Sequence, residues 1–341
     1  MLKPLYIRSD EPCNQQRNWQ TELSQCITTV DDLLAELELD RTQLSFCQQA
    51  AAQFVLKVPR PYVQRMVRGD PNDPLLAQVL PVKAEMQLDP EYSEDPLNES
   101  NHNPIAGIVH KYRNRLLLIV SPACAINCRY CFRRHFPYQE NRQSKDQWQQ
   151  ALTYIRNDAD INEVIFSGGD PLAANDHFLD WLAEQIAAIP HIKRLRIHTR
   201  LPVVIPSRIN DPFLRWATAS RLKPIVVLHI NHSNEIDAEV AEAVARLLDA
   251  GIKVLNQTVL LKDINDNAVT LNALSERLFD CGITPYYLHL LDPVQGASHF
   301  DIEEAQALKI YRELQAMLPG FLLPKLVREI PGERSKTIVA S

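Results

Sequence analysis

Three cysteines fall within eight positions of the stretch S-P-A-C-A-I-N-C-R-Y-C-F-R-R-H (121–135): Cys124, Cys128 and Cys131, spaced C-x3-C-x2-C. Thiols this dense on one loop suit a metal, and their number bears on which one. Three thiolates around an iron–sulfur cube leave one iron without a protein ligand. A small molecule offering an amine and a carboxylate can chelate that bare iron. The competing set adds His135 to the three cysteines, a composition that zinc accepts. Structural zinc sites usually come as two separated ligand pairs, whereas these four residues share one loop and no second knuckle follows elsewhere.

Further polar groups stand at regular intervals downstream. F-S-G-G-D-P-L (166–172) carries paired glycines, Gly168 and Gly169, which let backbone amides and carbonyls approach a ligand closely. By itself G-G-D is an ordinary turn. His198, Thr199 and Arg200 follow, then H-I-N-H (229–232), Asn256 with Gln257, and H-L-L-D (289–292).

Each of these groups ends a short apolar run. Six runs read as buried parallel strands: 116–120, 163–167, 194–199, 224–230, 253–261 and 285–290. Helical patterns lie between them, as in 176–189 and 239–251, the latter stopping at Gly251. From the second run onward the starts are roughly 30 residues apart, the length of a βα unit. Repeated βα units predict a parallel sheet covered by helices. No G-x-G-x-x-G follows the first run, against a dinucleotide fold. A closed eightfold barrel needs two more strands than can be read here. The expectation is an α/β fold, a partial (β/α)6 TIM-like barrel with a helical N-terminal region. Polar residues at successive strand C-termini then mark the mouth of its site.

The division expected along the chain is a helical region and linker over 1–105, the partial barrel over 106–300 and a C-terminal segment over 301–341. Helices are expected at 28–40 and across 43–68. An ordered wrap rich in proline and acid follows to residue 104.

Composition sets limits. The 341 residues are 45% hydrophobic and 23% charged, as in globular proteins, and no run of 18 apolar residues could span a bilayer. The N-terminus has no apolar secretory core, so a cytoplasmic location is expected. Cys13, Cys26, Cys47 and Cys281 are scattered singly and the total of seven is odd, against a disulfide framework. A net charge of −6 argues against a general nucleic-acid binder.

The cysteine spacing after a first barrel strand, with Tyr130 before the third cysteine, resembles the radical S-adenosylmethionine (SAM) superfamily. H-K-Y-R-N-R-L-L-L-I (110–119), C-R-Y-C-F-R-R-H-F, F-S-G-G-D-P-L, H-I-N-H-S-N-E-I (229–236), L-N-Q-T-V-L-L-K-D-I-N-D-N (255–267) and L-D-P-V-Q-G-A-S-H-F (291–300) narrow the resemblance to the lysine 2,3-aminomutase family. Length and the ending R-E-I-P-G-E-R-S-K-T make it similar to the short bacterial branch that supplies (R)-β-lysine for modification of elongation factor P.

The resemblance implies an isomerase using a 4Fe–4S cluster, SAM and pyridoxal 5′-phosphate (PLP). The C–H bond at Cβ of lysine is unactivated, beyond the reach of a positioned base; the family uses a 5′-deoxyadenosyl radical instead. By position, Cys124, Cys128 and Cys131 match the cluster ligands. Gly168, Gly169 and Asp170 match the stretch that takes the amino group of SAM, and His229 the SAM-facing end of its strand. Lys336 matches the PLP-bearing lysine, Lys111 and Arg115 the phosphate-binding pair with Tyr112 between them, and Asn256 and Gln257 further cofactor contacts. Arg133 matches the arginine that takes the substrate carboxylate. Asp292 and Glu329 match two acids for the far ammonium, with glutamate at 329 where the family has aspartate. Implied partners are free L-lysine, an electron donor and, functionally, elongation factor P with its lysyl ligase; a homo-oligomer is compatible. The alternatives are a radical SAM enzyme without PLP and a zinc-stabilised binding protein.

Overall fold

A computed structural model describes residues 18–141 and 143–340; Cys13 lies outside them. Among the described residues one sheet has nine strands, ordered as in the chain. β1 (Ile108–Tyr112) pairs antiparallel with β2 (Arg115–Ser121). From β2 the strands run parallel through β3 (Glu163–Gly168), β4 (Arg194–Thr199), β5 (Lys223–His229), β6 (Lys253–Val259), β7 (Thr284–His289) and β8 (Lys325–Arg328). β9 (Thr337–Ala340) turns back antiparallel on β8. No strand pair joins β1 to β8 or β9, so the barrel is partial and open along one side.

The six expected strands are present within two residues. Their apolar runs follow from parallel strands covered on both faces. The expectation of six falls one short, because β8 is four residues, K-L-V-R, with charged ends that hide its two buried positions. It lies past residue 300, so the C-terminal segment is part of the same sheet. Helices connect the strands, and four of them begin on Asn175, Asn210, Asp237 and Asn267. Each of these side chains accepts from the third helical amide, satisfying a donor the helix cannot satisfy itself. Gly251, at φ +75°, ends the helix Ala238–Asp249 as expected.

The N-terminal reading needs correction. A helix forms at Val30–Glu36, but 43–68 is broken into Gln48–Gln53 and Arg60–Val63. Pro59 and Pro61 prevent a continuous helix, and Val58 instead bridges to Ile27. The wrap that follows is ordered, with turns of helix at Pro74–Ala77, Lys83–Met86 and Ser100–His102. Leu33, Tyr62 and Leu75 share one core with Leu116 and Phe166 of the sheet. The N-terminal region is therefore packed into the barrel and not hung on it.

Candidate active site

A cavity of about 780 Å³ opens inside the barrel, within the range of small-molecule sites. Cys124, Cys128 and Cys131 line it as free thiols. Burial, then the neighbouring sulfurs, push Cys124 well above the usual thiol range, and the same causes raise Cys131 to about 11. Three crowded thiols resist ionising together unless a cation takes up the charge, as a metal does.

Among the described residues, no three cysteine, histidine or acidic side chains converge on one ion. His135 is not drawn toward the thiols: its Nε2 lies 3.2 Å from the Gln295 carbonyl. The zinc set is thus not assembled. Three thiols on one cavity wall suit a polynuclear cluster, whose irons each take one thiolate.

The cysteine loop is fixed from behind by the N-terminal region. Lys57 Nζ donates to the Cys124 carbonyl at 2.8 Å, Asn127 N to the Lys57 carbonyl at 3.0 Å, and Arg129 N to the Gln78 carbonyl at 2.9 Å. Arg129, fully buried, lies against Glu85, which also accepts from Arg134 Nη2 at 2.8 Å. From the front the loop meets the paired glycines. Gly169 N and Asp170 N donate to the Ser121 and Ala123 carbonyls, each at 2.8 Å. A Cβ at Gly168 would stand 2.4 Å from the Ser121 carbonyl oxygen, and one at Gly169 2.7 Å from that of Ala123. Gly168 also has φ +128°, a backbone glycine alone adopts readily.

Asp170 lines the cavity beside the paired glycines and also anchors them. Its carboxylate accepts from Thr199 Oγ1 at 2.7 Å and from the amides of Leu172, Arg200 and Leu201. It ties the glycine turn to the end of β4, leaving the backbone to meet a ligand. Asn256 needs correction. Neighbouring strand residues face opposite ways, so while Gln257 lines the cavity, Asn256 turns outward and bonds the Ile230 backbone and Thr258.

The opposite wall carries alternating charges. Lys336 and Lys111 both bond Glu329, the latter at 2.9 Å. Lys111 stands 3.6 Å from Glu99. Glu99 in turn holds Arg133 with both oxygens, at 2.7 and 2.8 Å, while Arg133 Nη1 reaches Ser167 Oγ at 3.0 Å. The expected carboxylate receptor thus already grips a carboxylate of the chain. For Glu329 burial opposes ionisation, but Lys336 and Lys111 outweigh it and hold the group well below the carboxylate range. Asp292 lines the same cavity with no ion-pair partner among the described residues; burial, against the pull of Lys336, lifts it to about 7. The Arg115 guanidinium stacks on Tyr112 with its carbon 4.2 Å from the ring centre, and both line the cavity.

Some cavity residues were read in the sequence only as polar groups at strand ends. His198 and His289 each bury an Nε2 with no protein partner, the kind of orphan that a ligand would satisfy. Burial, then Arg196 for the first and Lys336 for the second, keeps both rings neutral. His229 is also neutral, lowered to about 3 by burial and Arg200, and lies 3.1 Å from the Tyr130 hydroxyl. Glu99 on the cavity wall and Glu85 behind the cysteine loop sit in the acid-rich wrap, where composition does not distinguish a buried acid from a solvated one. Arg200 was legible only as one polar group at a strand end.

Residues 118–271, from β2 to the helix Ala268–Asp280, match the family model of the radical SAM superfamily. Fold and site together define a radical SAM barrel. L-lysine 2,3-aminomutase of Escherichia coli (strain K12) is 51% identical over 323 residues, 94% of each chain. The enzyme of that name from Haemophilus influenzae is 50% identical over 335 residues, 98% of this chain and 99% of its own. The chain belongs to the lysine 2,3-aminomutase family. A radical SAM methyltransferase from Sphaerobacter thermophilus covers 65% of the chain and 68% of its own at 17% identity, with a TM-score of 0.45, too distant to add to this. Membership makes the chain an isomerase working with a 4Fe–4S cluster, SAM and PLP. Among the described residues no helix is long and apolar enough to cross a membrane.

Proposed function

We propose that this protein converts L-lysine to (R)-β-lysine, moving the α-amine to Cβ. The observation that carries the reading is a single cavity with three free thiols on one wall and Lys336 beside Glu329 and Asp292 on another. When bound, the cluster and SAM supply a radical that can take hydrogen from an unactivated C–H bond, and PLP a π-system for the migrating nitrogen.

The chain's own residues place the reactants. Cys124, Cys128 and Cys131 hold three irons, and the backbone of Gly168 and Gly169 leaves room for the amino group of SAM, with His229 and Gln257 on the same lining. Lys336 bears PLP, with Lys111, Arg115 and Tyr112 toward its phosphate. Arg133 offers its Nη1 side to the substrate carboxylate while Glu99 fixes the other edge. Asp292 and Glu329 face the far ammonium; Asp292, the one of the two without an ion pair among the described residues, selects for it, since a buried acid left unpaired is costly. That pair favours lysine over amino acids with apolar or acidic ends.

The product's route into elongation factor P modification through its lysyl ligase belongs to the same proposal, as do a cytoplasmic location, a separate electron donor and a homo-oligomeric state. The test is anaerobic purification with iron, sulfide and PLP analysis, then L-lysine with SAM and a reductant. Expected are a coloured protein with four irons and β-lysine as product. Lys336→Ala should lose both PLP absorbance and turnover; unchanged turnover overturns its role. Iron-free, colourless protein overturns the radical reading.

A further inference from the structure

One buried cation in contact with the cysteine loop has no part in the reading above. The Arg200 guanidinium, 7% exposed, donates from Nη1 to the Cys128 sulfur and to the Tyr130 hydroxyl, the latter at 2.8 Å. From Nη2 it donates to Glu235 Oε2 at 2.8 Å, Gln78 Oε1 at 2.7 Å and the Tyr62 hydroxyl at 3.2 Å. Glu235 is fully buried and pinned in turn, with Oε1 accepting from the amides of Asn231 at 2.8 Å and His232 at 3.1 Å. An arginine guanidinium keeps its charge in proteins, so this contact sets a fixed positive group against the Cys128 sulfur.

The result is a rigid charge pair aimed at one thiol. Its positive end touches Cys128, its negative end, Glu235 in the helical turn Ser233–Glu235 after β5, lies behind, and Tyr62 and Gln78 from the N-terminal region help prevent either from turning away. Every nitrogen except Nε has an acceptor, so the guanidinium cannot be recruited elsewhere without breaking several bonds.

We propose that Arg200 and Glu235 are positioning residues that set the reduction potential of the cluster. This rests on the cluster reading of Cys124, Cys128 and Cys131. Reduction adds one electron, delivered by a low-potential one-electron carrier, with no proton; the cluster and its thiolates gain one negative charge. A fixed cation against a thiolate in a dry site stabilises that added charge, and the buried acid behind it offsets part of the effect. Hydrogen bonds to the sulfurs and local net charge are among the factors known to tune such potentials, and buried charges escape salt screening. The arrangement also gives the N-terminal region a function: it holds the tuning charge in place.

The experiment uses the full chain, reconstituted anaerobically with iron and sulfide and without SAM, and follows the cluster by EPR-monitored redox titration. Arg200→Gln should move the midpoint to more negative potential and Glu235→Gln to more positive, while Arg200→Lys stays near the parent. The opposite signs separate charge from disruption, since structural damage alone has no reason to shift the two in opposite directions. Loaded variants with unmoved midpoints, or both moving the same way, overturn the inference. Four irons in the parent with unmoved midpoints leave the cluster reading standing and this one refuted; a parent without iron removes both. Should Glu235→Gln not fold, the contrast between Gln and Lys at 200 decides alone.

Discussion

Asp292→Asn should stabilise the protein at high pH while weakening its grip on lysine. Asp292 lines the cavity with its pKa lifted to about 7, well above the ordinary aspartate range, by burial first, with Lys336 opposing and Glu329 reinforcing. Lys111 and Glu99 also face it. A folded-state value above the unfolded one means that folding favours the protonated acid. The stability is therefore intact below about pH 4 and is lost as the pH rises through 7. A rise of about 3 units corresponds to roughly 4 kcal/mol above pH 7, of which about 3 kcal/mol develops between pH 5 and 8. These are upper figures, because the residue is only half-buried toward the cavity. The assay is urea unfolding of parent and variant across pH 5–8. The variant's advantage should grow with pH, while its KM for lysine rises at pH 8. Parallel stability curves would show that Asp292 is not held protonated by its surroundings, and the argument for it as an ammonium receptor would lose its electrostatic basis.

Three further outcomes follow from backbone geometry and buried charge. Gly168→Ala puts a Cβ 2.4 Å from the Ser121 carbonyl at φ +128°; it should cost about 2–3 kcal/mol and lower iron content per chain. Gly251→Ala, at φ +75° with nothing within 4 Å, should cost about 1 kcal/mol and leave iron loading unchanged. Glu85→Gln removes the charge shared by buried Arg129 and Arg134 and should cost about 3 kcal/mol, seen as a lowered urea midpoint.

The parts of this fold that were legible are those where one physical demand governs a whole segment. β2 through β7 could be read because strands covered on both faces need continuous apolar runs, and the helix stop at Gly251 because only a left-handed turn ends it. β8 was missed because four residues with charged ends carry no periodicity. The apparent helix across 43–68 failed because its spacing was apolar for a different reason: Val58 and Tyr62 are buried against the barrel while two prolines break the chain. At the site, residue types and spacing pointed to the thiols and glycines. They could not reveal Glu99 on Arg133, 34 positions away, or Glu85 on Arg129, 44 positions away, since those partners meet only once the wrap has folded over the loop. Asn256 and Gln257 show the limit at single-residue scale, where alternation along β6 sends one inward and the other out.

The first and last strands of the sheet share no backbone ladder, yet Lys111 in β1 reaches Glu329 after β8, and Glu329 reaches Lys336 before β9. That flank of the barrel is therefore fastened by ammonium and carboxylate groups where the other walls use peptide groups. Charges can be outcompeted by an arriving anion or amine in a way that a β-ladder cannot, so this is the side through which a phosphorylated, amine-seeking guest would loosen the wall and settle. Amides of β1 and β9, at this open flank, should exchange their hydrogens ahead of those in β3 to β6.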